Sequence, residues 1–211
     1  GLTGNHDYVQ PLTAILEEKD IELVIPDIII ALKRLGTDNL NDIILPYLSH
    51  ASEDIRIAAL DAFVIQDDMS LKKTISLLQD PSGSIHDTAR EKILTAEFQN
   101  SKILVESLGM PSSRIRRGIF SLLEQLDIKE FQVLIFAREN LKKSFEYLAM
   151  AQGLEPSGQS PLKALAVEHL IQKKDMILEN TIRVLSIHDQ SGRMRTAWRG
   201  IFSSDTRQKA N

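Results

Sequence analysis

The chain has no cysteine, few aromatic residues and no long apolar run, and each shortage excludes a class of protein. The absence of Cys among the 211 residues excludes disulfides, thiolate catalysis and cysteine-ligated zinc. Aromatic residues make up 5% of the chain, which suits packed helices better than a β-sandwich. The longest apolar stretch, 23–32, is broken by Pro26 and Asp27, so no segment approaches the roughly 18 residues that span a bilayer. We therefore expect a soluble piece with cytoplasmic localisation, cut from a longer protein.

Charge is unevenly distributed along the chain. The formal net charge is −4, but residues 1–80 carry 14 acids against 6 bases. Residues 190–211 carry five bases against one acid. An acidic N-terminal part argues against general nucleic-acid binding, which requires a continuous basic surface.

A repeat of 30 residues is the strongest pattern in the sequence. The segments "SHASEDIR", "QDPSGSIH" and "GMPSSRIR" each predict the end of one helix, a turn, and the start of a second helix. A fixed period of this length indicates a helical-repeat array, because one helix pair cannot bury its apolar face alone. We predict that the matching apolar residues are buried at equivalent places: Leu48, Leu78 and Leu108 in one phase, and Ile55, Ile85 and Ile115 in another.

Helix signals extend this repeat into four pairs and a longer C-terminal part. Serines predict the starts of the second helices, through Ser52, through Ser82 or Ser84, and through Ser112 or Ser113. Gly36 predicts the end of the first pair. The expected pairs are 8–18 with 21–35, 40–49 with 53–66, 70–79 with 83–96, and 100–109 with 112–126. Residues 129–152 and 162–188 predict two long helices joined by a loop, followed by a helix over 190–202.

These patterns predict one all-α domain over residues 1–211. Residues 8–127 form about four helix pairs of about 30 residues, as in an α-α superhelix, a solenoid of helix pairs. Residues 129–202 form a long helical hairpin plus a terminal helix. Because several sides of the helix 162–188 are apolar, we expect it to pack against several neighbours.

Two segments resemble known families. The 30-residue pairs, with "DPSGSIHDTAR" and "SSRIRRGIFSLL", resemble HEAT-like repeats, which implies an α-α superhelix of the HEAT type. The segment 177–211 resembles a part of bacterial membrane proteins related to ATP/ADP translocases, in which HEAT-type repeats follow a membrane domain. The matching residues are Arg195, Ala197, Arg199, Gly200, Ser204, Asp205, Arg207, Lys209, Ala210 and Asn211. The resemblance implies a regulatory part of a membrane-attached protein; transport cannot be assigned, since neither a membrane domain nor a nucleotide-binding domain is present.

Arginines are the candidate contacts for an anion or a partner. Arg114, Arg116 and Arg117 open a second helix, where guanidinium groups could bind phosphate or an acidic protein. The alternative is that Arg116 is a structural residue of the repeat, matching Arg56 and His86, and pairs with acids of the neighbouring repeat. A second group, Arg193, Arg195 and Arg199, could meet lipid headgroups or instead form a solvated and structural face.

No residue pattern predicts catalysis, a cofactor or a metal. None of the five histidines has metal-ligand spacing, and the acid pairs Asp67–Asp68 and Glu53–Asp54 fit helix capping. The prediction is therefore a non-enzymatic interaction or regulatory module that presents a helical-repeat surface to a protein partner or sister domain. The alternative is an enzyme on a HEAT-like scaffold, such as a DNA base glycosylase or a chromophore lyase. The sequence leaves the partner and the oligomeric state open.

Overall fold

The described part of the chain is all-helical. A computed structural model describes residues 6–16, 18, 22–126, 130–154, 160–189 and 191–202. No strand occurs in these ranges, which confirms the all-α class. The chain packs as two compact units, Gly1–Asn100 and Ser101–Asn211. The HEAT-type superhelix and the single domain stay predictions. Within the described ranges, no helix has the length and apolar character needed to cross a membrane.

The described part of the first unit contains six α-helices, one for each helix of the first three predicted pairs. They are α1 (Val9–Ile15), α2 (Ile25–Arg34), α3 (Leu40–Ile44), α4 (Glu53–Ala62), α5 (Asp68–Ser76) and α6 (Gly83–Thr95). The expected helices 40–49 and 70–79 each end in a 3-10 turn, Leu45–Ser49 and Leu77–Gln79. A tighter last turn satisfies carbonyls that a helix end would leave unpaired.

The second unit contains the remaining helices. They are α7 (Ser101–Glu106), α8 (Ser113–Leu123), α9 (Glu130–Leu154), α10 (Pro161–His188) and α11 (Arg193–Phe202). Another 3-10 turn, Ser107–Gly109, follows α7. This fourth pair therefore has the same local order as the second and third pairs: a short helix, a 3-10 turn, a serine and a longer helix.

Gly36 ends α2 as predicted. Its φ is +64°, a left-handed conformation that costs glycine little. The Gly36 N–H donates to the carbonyl of Lys33 at 3.1 Å, and the Thr37 N–H donates to that of Leu32 at 3.3 Å. This pair of bonds is the Schellman motif, which satisfies the last carbonyls of the helix.

The repeat phase marks the core in both units. All six residues singled out by the 30-residue period are at most 1% exposed, which confirms that prediction: Leu48, Leu78, Leu108, Ile55, Ile85 and Ile115. In each pair the leucine lies in the 3-10 turn and the isoleucine in the first turn of the next α-helix. One short turn thus buries two large side chains, which holds the two helices of a pair together.

Polar side chains cap most of the helices that begin near a repeat turn. Ser82 and Ser112 accept hydrogen bonds from the Ile85 and Ile115 N–H groups, at 3.5 Å and 3.4 Å. Ser52 precedes α4 but makes no capping bond with its side chain. At α5, Asp67 accepts from the Ser70 N–H while Ser70 Oγ accepts from the Asp67 N–H. This capping box satisfies two helix-end donors.

Small residues form the α9 side of the hairpin made by α9 and α10. Ala137, Ser144 and Ala151 are buried and recur every seven residues, and Val133, four residues before Ala137, is buried as well. Small side chains at a seven-residue spacing allow the α10 backbone to approach closely. The larger apolar residues that predict α9 from the sequence, including Leu134 and Phe145, are exposed.

α10 packs against α8, α9 and α11, as its several apolar sides predict. Toward α8, the Arg183 guanidinium lies 3.9 Å above the ring of Phe120, a favourable cation–π geometry. At its C-terminus, the carboxylate of Asp189 accepts a hydrogen bond from the Met194 N–H at 2.6 Å. This bond fixes the start of α11.

Leu78→Ala should lower the free energy of unfolding by about 2–5 kcal/mol, because Leu78 is fully buried and the cavity would collapse only partly. Urea unfolding followed by circular dichroism measures this. Met69→Ala is the control, since Met69 is 73% exposed and should change stability by about 0.5 kcal/mol or less. Equal losses in the two variants would contradict the assignment of Leu78 to the core.

Candidate functional site

The arginines at the start of α8 do not act as one group. Arg116 donates from Nη1 to the carbonyls of Met110 and Pro111, both at 2.9 Å. Those carbonyls belong to the preceding turn, so Arg116 is a structural residue of its repeat. The ion pair with an acid of the neighbouring repeat, expected in that interpretation, is absent among the described residues. Arg114 and Arg117 are exposed, and their contact with an anion or a partner protein stays a prediction.

The second arginine group lies on α11. Arg193 and Arg199 are exposed, while the side chain of Arg195 lies outside the described residues. The pKa of Asp189 is lowered, first by its hydrogen bond from the Ser191 hydroxyl, then by the Met194 N–H, with a smaller contribution from Arg193. Arg193 therefore stabilises the carboxylate that caps its own helix.

Arg56 occupies the position equivalent to Arg116 and makes a fuller set of contacts. Its Nη1 donates to the carbonyls of His50 and Ala51, both at 2.8 Å. Its Nε and Nη2 donate to the two carboxylate oxygens of Asp80, at 2.9 Å and 3.0 Å. Asp80 lies in the turn of the next repeat, so Arg56 makes with a neighbouring acid the kind of contact that the sequence predicts for Arg116. A two-point guanidinium–carboxylate contact fixes both distance and orientation.

Two lysines meet at the end of α4. The ammonium groups of Lys33 and Lys92 both donate to the carbonyl of Asp61, at 2.8 Å and 3.1 Å. This carbonyl belongs to the last turn of α4, where cations are favourable. Burial lowers the pKa of Lys92, Lys33 lowers it further, and Asp61 raises it. The two lysines therefore satisfy the Asp61 carbonyl at the end of α4, although burial and the charge of Lys33 disfavour the protonated form of Lys92.

Beside Lys92 lies an open groove of about 450 Å³, lined also by Phe63, Ile65 and Phe98. The groove follows the two chain segments that leave α4 and α6. Because Lys92 already donates to the Asp61 carbonyl, the groove offers mainly apolar contacts.

A second cavity lies within the other unit, between α9, α10 and the turn after α7. This cavity, the α9–α10 crevice, has a volume of about 410 Å³ and is lined by Leu108, Phe136, Lys143, Lys173, Met176 and Asn180, among others. Its volume is in the range of about 300–1,000 Å³ typical of small-molecule sites.

Asn180 is the buried polar residue of this crevice. It is 6% exposed, and its Nδ2 donates to the Leu108 carbonyl at 3.0 Å. No described residue donates a hydrogen bond to its Oδ1. A buried acceptor without a donor is costly, so this oxygen gives the crevice a specific polar feature.

Sequence reasoning missed the crevice entirely. Its residues come from three helical segments, and none of them forms a short motif. One sequence signal pointed to it. Asn180 lies between Ile177 and Val184 on an apolar side of α10, where a buried amide needs hydrogen-bond partners.

In the described part of the chain, no group of three or more His, Asp or Glu side chains is placed to hold a metal ion. Comparison with known proteins finds no matching family, no similar curated protein and no similar solved structure.

Arg56→Met should lower the free energy of unfolding by about 3–5 kcal/mol, because it leaves the Asp80 carboxylate buried without its cation. Urea unfolding measures the loss. Arg116→Met is the matched control, since Arg116 is half-buried and its hydrogen bonds within the described residues go to carbonyls alone. We expect a distinctly smaller loss there, and equal losses would show that the Asp80 contact contributes little.

The stability contribution of Lys92 should depend on pH. Because its pKa is lower in the folded protein than the usual 10.5, the unfolded chain binds more protons between these two values. The free energy of unfolding, relative to that of Lys92→Met, should therefore rise as pH increases from neutral toward 10.5. Lys72→Met, at an exposed lysine, should show no such rise; a parallel rise in this control would contradict the explanation.

Proposed function

We propose that the protein is a non-enzymatic interaction or regulatory module of the HEAT-like helical-repeat type, acting within a larger, membrane-attached protein. The observation that carries this proposal is a row of exposed apolar side chains on α9. Exposed apolar rows of this kind are typical of protein-binding surfaces. The resemblance of residues 177–211 to a segment of membrane proteins supports the cellular context.

The row, called here the α9 stripe, consists of Leu134, Leu141 and Phe145. Their spacing of seven and four residues puts them on one face of the helix. Phe145 is 68% exposed and Leu134 55%, although large apolar residues at this spacing normally mark the buried side of a helix. The α10-facing side of α9 is occupied by the small residues instead. The stripe is therefore available to a partner.

Positive charge borders the α9 stripe. Arg138 and Lys142 follow Leu134 at four-residue steps and are exposed. Neither makes an ion pair within the described part of the chain. An apolar row beside two cations is complementary to an amphipathic helix whose apolar face is edged by Asp or Glu. We propose such an acidic helix, from a sister domain or a partner protein, as the occupant.

A fluorescent peptide tests this proposal. The peptide is a designed helix with leucines at i, i+3, i+4 and i+7 and glutamates on both borders, and its binding is measured by fluorescence anisotropy. The double variant Leu141→Ser/Phe145→Ser should bind at least about tenfold more weakly, because both anchors are lost. Arg138→Glu/Lys142→Glu should weaken binding and reduce its salt dependence.

Two controls make the result specific. Met69→Ser removes an exposed apolar side chain from the other unit and should leave binding unchanged. A peptide with lysines in place of glutamates should bind less tightly than the acidic one. The proposal fails if the acidic peptide does not bind, or if it binds the stripe variant and the native protein equally.

A further inference from the structure

We infer that the α9–α10 crevice binds a small organic anion, one with an apolar body and a hydrogen-bond donor at the end remote from its charge. This site is separate from the α9 stripe and does not depend on the function proposed above. Three features of the crevice define the ligand: a cationic end, an apolar middle and a buried acceptor.

Lys143 and Lys173 form the cationic end. Both line the crevice, and neither makes an ion pair within the described residues. Of the two acids on the wall, Glu106 pairs with Lys102 at 3.8 Å, which leaves the two lysines against the single carboxylate of Glu139. The free charge along the wall is therefore positive, which favours a carboxylate, sulfonate or phosphate.

Asn180 defines the opposite end. Its Nδ2 is held by the Leu108 carbonyl, which orients the side chain and leaves Oδ1 as an acceptor. Because this atom belongs to a residue that is 6% exposed, a ligand hydroxyl or N–H would satisfy an acceptor that the described residues leave unused. The Phe136 ring and the side chains of Met176 and Ile177 also line the crevice and supply its apolar surface.

The two ends are separated by a defined length. Phe136 and Lys143 on α9 both line the crevice, as do Asn180 and Lys173 on α10, and the two residues of each pair are seven positions apart. Seven residues of helix span about 10 Å. Since lysine side chains reach part of this distance, the ligand has the length of a two-ring compound.

The probe 6-hydroxynaphthalene-2-sulfonate has these features, with a hydroxyl and a sulfonate at opposite ends of an aromatic body. We expect saturable binding of one molecule per chain, measured by calorimetry and by probe fluorescence. Naphthalene-2-sulfonate, without the hydroxyl, and 2-naphthol, without the sulfonate, should each bind several-fold more weakly.

Variants locate the binding. Lys143→Met/Lys173→Met should weaken binding at least about tenfold through loss of charge-assisted contacts, whereas Lys142→Met, one position along the same helix, should not. Met176→Trp should abolish binding by filling the crevice, while Phe145→Ser should leave it intact. Circular dichroism melting identifies any variant that fails to fold. In that case the proposal is tested by the relative affinities of the three naphthalene probes for the native protein.

The proposal is overturned by any of four results. These are no saturable binding below about 1 mM, equal affinity for the three probes, equal losses in the Lys142 and Lys143/Lys173 variants, or unchanged binding to a folded Met176→Trp protein. Loss of probe binding on Phe145→Ser would place the probe on the α9 stripe instead.

Discussion

Each repeat turn buries one leucine and one isoleucine within seven residues of each other, and the helix pairs depend on this burial. The leucine comes from a 3-10 turn and the isoleucine from the next α-helix, as in Leu78 and Ile85. Because a 3-10 turn is tighter than an α-turn, the chain reverses over few residues while both side chains stay inside. The N–H and carbonyl groups of such a short turn find few backbone partners. Polar side chains near the turn therefore supply the missing hydrogen bonds.

The repeat arginine meets that requirement. Arg56 and Arg116 each bind two carbonyls of the turn before them, six and five residues back. The flexible stem of arginine and its several donors make one residue sufficient for both carbonyls. Arg56 adds the Asp80 carboxylate and so ties one repeat turn to the next. The arginine cluster at the start of α8 is thus partly a structural device, and only its exposed members, Arg114 and Arg117, are candidates for recognition.

Local signals predicted much of this architecture, because period, caps and turn residues act within a few positions of each other. The six core residues, the Gly36 stop, the caps at Ser82 and Ser112 and the hairpin all follow from such signals. Two features could not be predicted. The first is the side of α9 that contacts α10. Close approach of the two helix backbones favours the small residues Ala137, Ser144 and Ala151 at the contact over the larger apolar residues of α9. The second is the α9–α10 crevice, which depends on how distant segments pack together. That packing brings Asn180 to the carbonyl of Leu108, 72 positions earlier in the chain.

The choice of small residues for the hairpin interface links the fold to the proposed function. Close packing of α9 on α10 needs small side chains at the contact, so the large ones must lie elsewhere on α9. Placing Leu134, Leu141 and Phe145 at the surface costs solvation free energy, about 25 cal/mol for each Å² of apolar area left in water. A helix that packed through those residues would avoid this cost. A partner that covers the α9 stripe recovers this free energy. The small residues of the hairpin interface and the exposed apolar residues of the stripe therefore have one common cause.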